Sequence, residues 1–454
     1  MPHMSLTKHT IDQHLMEHEL SLLRRMVLPK DADWKPLDQS IHSKNTVNPV
    51  RKIADACQVP PNKTKRLLKL HLGDPSLSGL LPPPEAASKA VHEAIDGRKH
   101  DGYGPAVGTL TAREAVCRNF NTPTSMFTAD DVVLASGCSH ALQMAIEAIV
   151  EAGDNLLVPQ PGFPLYSTIC RSHGAIDRHY RIEMRDGVRV DLHHLESLID
   201  ENTKAVVINN PGNPTGAVFS KRHLEDILRL AEKHKLVIIA DEIYGNLVYN
   251  GATFYPIASL RPRVPVITCD GIAKRWMVPG WILGWLIIHD HESVLSEVRK
   301  GIIALSQKIV GPCALIQGAL PKILDETPAS YFDRCKTIIE TNANIVNDVL
   351  STVDGLHCIM PQGAMYMMVG IDRTMYSDDV TFCQALIREQ SVFCLPGQAF
   401  SANGYFRVVL TCSAEDMREA ANRIRVYCLE HRGQVMTSDE SSDEGCDIGA
   451  LESD

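Results

Sequence analysis

Four side chains with complementary chemistry stand where predicted strands end or turn. Lys274 follows the apolar run 264–269, and Asp241 closes a second apolar run. Asn213 lies in a turn rich in Pro and Gly, and Tyr244 follows Asp241 by three residues. In open α/β sheets, ligands bind beyond the carboxyl ends of the strands. An amine, a carboxylate, an amide and a phenol at such places are what a pyridoxal phosphate (PLP) site needs, because the amine forms a Schiff base and the carboxylate faces the pyridinium nitrogen.

Each of these residues also has a structural interpretation. A partly buried Asp241 needs a cationic partner, which a protonated pyridine nitrogen supplies, but an Asp at a strand end also caps a following helix. Tyr244 can donate to the ring oxygen of the cofactor or pack in the core. Asn213 serves the turn whether or not its amide donates to the same oxygen.

A hydroxyl-rich turn is suited to hold the phosphate. Ser136, Gly137, Cys138 and Ser139 follow the apolar run 132–135 and open a predicted helix. Free backbone N–H groups at a helix start, with hydroxyls beside them, bind phosphate. An ordinary Ser N-cap is the alternative, and this segment alone favours it.

Two more residues are candidates for ring and substrate contacts. Phe163 follows the apolar run 156–158 and either stacks on the pyridine ring or packs in the core. Arg407 interrupts an apolar run, where a cation is costly unless it is paired. A bidentate clamp on a substrate α-carboxylate would pair it, and a structural salt bridge is the alternative.

Composition excludes several classes of protein. The 454 residues are 44% apolar and carry a net charge of −10, so there is no general basic field for nucleic acid. The 13 cysteines show no metal-like spacing, which predicts reduced thiols and no metal site. No secretory signal and no membrane-spanning apolar stretch are evident. We expect a soluble cytoplasmic protein that binds neither nucleic acid nor membrane, with the mitochondrion as the alternative location.

Periodicity predicts the fold class. Between residues 69 and 270, apolar runs alternate with helical patterns such as 139–151 and 221–234, which indicates an α/β fold with a mainly parallel sheet. A mostly helical stretch, 293–349, precedes a smaller α/β unit. We expect an N-terminal arm and small-domain segment (1–72), a large domain (73–335), a small C-terminal domain (336–432) and an acidic disordered tail (433–454). Within the arm, the apolar spacing at 20–26 predicts one short amphipathic helix.

Taken together, the segments resemble the class I aminotransferases among the fold-type I PLP enzymes, and within them the tyrosine aminotransferase branch. The resemblance covers about residues 40 to 430 and depends on the order and spacing of several motifs. These are Asn48-Pro49-Val50-Arg51, Leu72-Gly73-Asp74-Pro75, Tyr103-Gly104-Pro105-Ala106-Val107-Gly108, the Asn-Pro-Gly run 209–216, Asp241-Glu242-Ile243-Tyr244, the lysine segment 273–281, and Phe406-Arg407-Val408-Val409-Leu410.

The resemblance implies a role for each candidate. Lys274 would carry the Schiff base and shuttle the proton, and Phe163 would stack on the ring. Tyr103 would reach the phosphate of the neighbouring subunit, which implies a homodimer. The other candidates would bind either the cofactor, through its ring or its phosphate, or the substrate. Asp241, Asn213, Tyr244 and the turn 136–139 would hold the cofactor, while Arg407, Gly73 and Asn213 would contact substrate. Apart from the resemblance, a second substrate carboxylate would favour a suitably placed cation. Arg51 is a candidate for it, and a solvated or structural arginine is the favoured alternative.

One position departs from the family pattern. The family usually has an arginine eight residues after the lysine, gripping the phosphate, and this chain has Ile282. The exchange removes a charge-assisted contact, a class that contributes about 1.5–3 kcal/mol. Arg275 is too close to Lys274 to be an obvious substitute. Two alternatives follow: either the remaining donors suffice to hold the phosphate, or the chain is a variant that binds PLP more weakly.

The implied reaction is ping-pong transamination from L-tyrosine, or another aromatic L-amino acid, to 2-oxoglutarate or pyruvate. Two alternatives stay open: another PLP reaction such as a C–S β-lyase, and a non-catalytic PLP-fold binding protein, which Ile282 keeps in consideration. An NAD-type Rossmann enzyme is disfavoured because no G-x-G-x-x-G follows the first strand.

Overall fold

The computed structural model describes residues 36–432 except 58, 77 and 186. The helix predicted at 20–26 and the acidic tail lie outside these residues. The chain divides into two compact units, Met1–Lys44 and Asn45–Asp454. The four regions expected from the sequence stay a prediction.

Fourteen strands are present in the described residues. In chain order they are β1 Leu68–Lys69, β2 Val132–Ala135, β3 Asn155–Gln160, β4 Ile176–Glu183, β5 Arg189–Val190, β6 Thr203–Asn209, β7 Val237–Asp241, β8 Val266–Gly271, β9 Gly284–His289, β10 Leu356–Ile359, β11 Tyr366–Ile371, β12 Val392–Phe393, β13 Leu395–Pro396 and β14 Tyr405–Val409.

Thirteen α-helices accompany the strands in the same part of the chain. They are α1 Ile41–Asn45, α2 Pro49–Ala56, α3 Glu85–Asp96, α4 Leu110–Phe120, α5 Gly137–Glu147, α6 Leu165–Ser172, α7 Leu192–Ser197, α8 Lys221–His234, α9 Ser296–Ser306, α10 Ala314–Glu326, α11 Ala329–Leu350, α12 Asp379–Ala385 and α13 Ala414–Glu430. A π-helical turn, Leu386–Gln390, continues α12.

The large sheet has the strand order β2-β9-β8-β7-β6-β3-β4-β5. All of its strands are parallel except β9, which pairs antiparallel with β2 and β8, and β5, which pairs antiparallel with β4. Every residue of β2, β8 and β9 is buried. Strands that are buried along their whole length are covered on both faces of the sheet, and in such sheets ligands bind beyond the carboxyl ends of strands such as β7 and β8.

A smaller antiparallel sheet follows, with the order β10-β11-β14-β13, and β1 pairs with β12. One hydrophobic core runs through both sheets, since Ile239 of β7 and Phe406 of β14 belong to the same cluster. The predicted fold class, a large mainly parallel sheet with a smaller C-terminal α/β unit, is confirmed.

Local signals explain the helix bounds that the sequence predicts best. The side chain of Ser220 accepts a hydrogen bond from the backbone N–H of His223, so α8 begins at the next residue. Ser413 caps α13 in the same way. The buried face of α8 is formed by Leu224, Ile227, Leu228 and Ala231, which follow the helical period. Within the described part of the chain, no helix is long and apolar enough to span a bilayer.

Candidate active site

A cavity of about 370 Å3 opens beside the carboxyl ends of β2 and β7 and the loop after β8. Most of the candidate residues from the sequence line it. These are Gly73, Ser136, Gly137, Cys138, Ser139, Phe163, Asn213, Asp241, Tyr244, Lys274 and Arg407. Residues more than 300 positions apart in the chain therefore share one wall.

Asp241 is the last residue of β7 and is only 3% exposed. Its hydrogen-bond donors are neutral: the Tyr166 hydroxyl at 2.5 Å, the Cys138 thiol at 3.7 Å and the backbone N–H of Ile243 at 3.3 Å. Burial raises the pKa of Asp241 above its ordinary value, while these donors and the charge of Lys274 act against that rise. A turn follows β7, so Asp241 does not cap a helix. A buried carboxylate on a cavity wall is best stabilised by a cationic ligand atom.

Lys274 is half-buried in the loop that follows β8. Its Nζ donates a hydrogen bond of 2.6 Å to the backbone carbonyl of Gly73. That carbonyl belongs to a loop that is distant in the sequence. This one hydrogen bond holds the amine at the cavity wall, and the amine can exchange it for another contact. An amine held in this way can leave its acceptor when a carbonyl compound enters.

Tyr244 follows β7 in the turn and is buried. Its hydroxyl lies 2.7 Å from the hydroxyl of Tyr366, which begins β11 in the small sheet. Burial, and next Tyr366, raise the pKa of Tyr244 well above its ordinary value. The Tyr244 phenol therefore remains neutral, and a phenol hydroxyl can donate one hydrogen bond.

Arg407 of β14 is buried between two aromatic rings. Its guanidinium carbon lies 4.2 Å from the ring centre of Tyr366 and 4.4 Å from that of Phe400. One terminal nitrogen donates to Asn213 Oδ1 and the other to the carbonyl of His71, both at 2.8 Å. Its Nε is buried without a hydrogen-bond partner among the described residues, and burial lowers the pKa of Arg407. Among the described residues Arg407 has no carboxylate partner, so the salt bridge that is the structural alternative is not present there. A buried cation that lines a cavity suits an anionic substrate group.

Two hydrogen bonds, one from the side chain and one from the backbone, hold Asn213 in place. Its Oδ1 accepts from Arg407, and its backbone N–H donates to Asn209 Oδ1 at 2.7 Å. Because Oδ1 is occupied by the cation, the NH2 group is the part of the side chain that remains to donate.

Phe163 is half-buried on the cavity wall. Its ring meets the Tyr166 ring edge-on, with 5.8 Å between the ring centres.

The turn at 136–139 starts α5 two residues earlier than the sequence predicts. Gly137, with φ of +77°, is the first helical residue, and the backbone N–H of Ser136 donates to His140 Nδ1 at 3.2 Å. The side chain of Ser136 makes no capping hydrogen bond. An ordinary Ser N-cap is therefore not what this turn provides, and all four of its residues line the cavity.

Ile282 occupies the other side of that turn. Its Cγ2 would be 3.9 Å from a Cβ added to Gly137, and its side chain is 53% exposed at the cavity. Its φ of +49° is uncommon for a β-branched residue. Arg275 cannot supply the missing charge, because it is buried in an ion pair with Asp270 and does not line this cavity.

Two candidates do not line the cavity. Tyr103 is 94% exposed in the single chain, and Arg51 is exposed on α2, where its neighbour Val50 is the residue that reaches the cavity wall. Their expected roles stay predictions.

Several cavity residues were not identified from the sequence. Tyr366, Phe400 and His71 all line it, and Tyr166 lies behind Asp241. His71, which stands between Leu70 and Leu72, is the one residue with a detectable sequence signal. Its ring stacks on Phe393 at 3.7 Å, and burial lowers its pKa to about 4. The others come from strands or helices that give no local sign of an active site.

The residues that line the cavity fit PLP everywhere except at the phosphate end, where a cation is missing. A buried carboxylate, an amine, an amide NH2, a phenol and a helix start with free N–H groups surround one cavity. At the phosphate end, the described lining offers neutral donors and the side chain of Ile282. The cations Lys274 and Arg407 are engaged with other partners.

Comparison with known proteins gives a consistent result. Residues 65–424 match the family model described as aminotransferase class I and II. The chain is 63% identical to a tyrosine aminotransferase of Caenorhabditis elegans over 99% of its own length and 97% of the relative. It is 42% identical to the tyrosine aminotransferase of Mus musculus, with 92% of each chain covered. The crystal structure of a tyrosine aminotransferase from Leishmania infantum superimposes with a TM-score of 0.84 at 30% identity, covering 88% of this chain and all of the other.

Proposed function

The chain belongs to the aminotransferase class I and II family, and on that premise we propose that it transfers the amino group of L-tyrosine, or another aromatic L-amino acid, to a 2-oxo acid with PLP as cofactor. The observation that carries the proposal is the buried carboxylate of Asp241, which shares one cavity with the amine of Lys274 and the guanidinium of Arg407.

When bound, PLP supplies an aldehyde for the substrate amine and a ring that accepts the electrons of the Cα–H bond. Asp241 would hold the ring nitrogen, and its ionised form gains the cationic partner that burial demands. The NH2 group of Asn213 and the hydroxyl of Tyr244 would hold the ring oxygen. Phe163 lines the cavity for contact with the ring face, and the turn 136–139 would bind the phosphate through neutral donors.

Lys274 is the residue that moves the proton. Its Nζ, released from the Gly73 carbonyl, would accept the proton of the substrate Cα and then donate it again, so that the amine would act as base and acid in turn. Arg407 would hold the α-carboxylate through its guanidinium, whose plane is fixed by the two aromatic rings. Fixing the carboxylate aligns the Cα–H bond with the lysine.

The proposal includes the acceptor and the assembly. The acceptor is 2-oxoglutarate or pyruvate, and Arg51 is the cation proposed for a second carboxylate. The protein acts as a homodimer in which Tyr103 completes the neighbouring site, which its 94% exposure in the single chain supports. The twelve free cysteines in the described residues agree with a reducing compartment such as the cytoplasm.

Amino-group transfer tests the function directly. PLP-loaded protein is incubated with L-tyrosine and 2-oxoglutarate, and both the aromatic 2-oxo acid and glutamate are measured. Equal amounts of the two products are expected, and none from Lys274→Arg, which keeps the charge but cannot attack the aldehyde. Pyruvate and ammonia formed from a cysteine conjugate without any added oxo acid would instead support the lyase alternative.

A mixing experiment tests the dimer. Lys274→Ala and Tyr103→Ala subunits are purified separately, then unfolded and refolded together. If Tyr103 acts on the neighbouring site, each hybrid dimer contains one site with both residues intact, and activity returns. No recovery in verified hybrids would place Tyr103 outside the neighbouring site.

A further inference from the structure

Tyr366 joins the two halves of the cavity. Its hydroxyl lies 2.7 Å from that of Tyr244, and its ring carries the guanidinium of Arg407 at 4.2 Å. It is 2% exposed, so neither contact is shared with bulk water. One side chain therefore contacts both the phenol on the cofactor side and the cation on the substrate side.

We propose that Tyr366 is a positioning residue whose phenol donates to the Tyr244 hydroxyl and thereby directs the hydrogen of Tyr244 at the ring oxygen of the cofactor. This inference rests on the proposed function. Tyr366 contacts neither substrate nor reacting atoms in the proposal, because it acts through Tyr244 and Arg407.

The direction of the hydrogen bond follows from the surroundings. A cation over the ring face draws electron density from the phenol, so Arg407 makes Tyr366 the stronger donor of the pair. With its oxygen occupied by that donation, Tyr244 keeps its own hydrogen free for an acceptor in the cavity. Two hydrogen bonds in series then polarise each other, which strengthens the terminal donation.

Gly73 leaves the space that this hydroxyl occupies. A Cβ at residue 73 would lie 2.2 Å from the Tyr366 oxygen. Any larger residue there would push the phenol away from Tyr244. The absence of a side chain at Gly73 thus serves the phenol pair, besides exposing the carbonyl that holds Lys274.

The pH titration of the visible band of PLP bound at Lys274 measures this effect. A hydrogen bond from Tyr244 stabilises the anionic ring oxygen and lowers the midpoint of that titration. Tyr366→Phe keeps the ring under Arg407 but removes the donation, so the midpoint should rise by about half a pH unit. Tyr244→Phe should raise it further. Adding Tyr366→Phe to Tyr244→Phe should then change nothing more, because the pair acts in series.

Tyr249→Phe is the matched control. The Tyr249 phenol is also buried and donates to the Gly363 carbonyl at 3.0 Å, but it does not line the cavity. It should leave the midpoint unchanged while it reports the stability cost of losing a buried phenol. Tyr366→Leu, which also removes the ring, should in addition raise the KM for the amino acid, whereas Tyr366→Phe should not.

Three outcomes would overturn the proposal. In the first, the midpoint of Tyr366→Phe equals that of the wild type. In the second, the midpoint falls, because Tyr366 competes for the hydrogen of Tyr244. In the third, Tyr366→Phe raises the midpoint by the same amount in the Tyr244→Phe variant as in the wild type. If the wild-type protein showed no titrating band at all, the proposed function would fail and this inference with it. A band that titrates with the same midpoint in the wild type and in Tyr366→Phe would refute the role of Tyr366 but leave the proposed function intact.

Discussion

Replacing Ile282 by Arg should tighten PLP binding. The side chain at 282 faces Gly137, the first residue of α5, where the phosphate is proposed to bind. A cation there would add one charge-assisted contact of about 1.5–3 kcal/mol, which corresponds to a dissociation constant about 10- to 150-fold lower. Removing a β-branched residue from a backbone with φ of +49° relieves strain as well, and this should raise the stability of the apoprotein.

The assay is a titration of apoprotein with PLP, followed by the absorbance of the bound cofactor. Ile282→Gln is the matched control, since it removes the branch and adds length without adding charge. The affinity of Ile282→Arg should exceed that of Ile282→Gln at least about tenfold, and inorganic phosphate should compete more strongly in the Arg variant. Equal affinities for the Arg and Gln variants would refute the electrostatic reasoning, because relief of strain alone would then explain any gain.

Three further predictions concern single side chains. Asp241→Asn should lower kcat about a hundredfold or more, since an amide cannot stabilise a protonated ring nitrogen, and a normal kcat would exclude the assigned role. Arg407→Lys should raise the KM for L-tyrosine about tenfold or more, because the planar fork between Tyr366 and Phe400 is lost; an unchanged KM would mean that the substrate carboxylate binds elsewhere. Burial lowers the pKa of His289 from 6.5 to about 4, so on acidification the unfolded chain takes up this proton at a higher pH than the folded protein does. Between pH 7 and 5, the free energy of unfolding should therefore fall by about 2 kcal/mol because of His289. Denaturant titrations at the two pH values should show a smaller loss for His289→Asn than for the wild type, and an equal loss would contradict the assignment.

The parts of the fold that could be predicted are those with local signals. The bounds of α8 and α13 follow from serine caps and a helical apolar period. The strand leading to Asp241 is an uninterrupted apolar run, and the strand leading to Lys274 begins as a mostly apolar one. The rule for strand ends then brings the two residues to one edge of the sheet.

The parts that were missed depend on contacts between distant segments. The position of β9 between β2 and β8 depends on pairing with β2, which lies far away in the chain, and the sequence of β9 does not reveal that neighbour. Tyr366 enters the cavity because the small sheet shares a core with the large one, and Tyr366 itself has no neighbouring motif. The positive φ of Ile282 runs against the preference of its own residue type, so propensity could not indicate it.

The visible absorption spectrum of the PLP-loaded protein, before and after L-tyrosine is added without any oxo acid, tests the central claim most directly. The account predicts that the band of bound PLP is replaced by that of pyridoxamine phosphate, with one equivalent of the aromatic 2-oxo acid released per site, and that Lys274→Arg shows no such change. A band that L-tyrosine and other aromatic amino acids leave unchanged, or the absence of a band at saturating PLP, would contradict it.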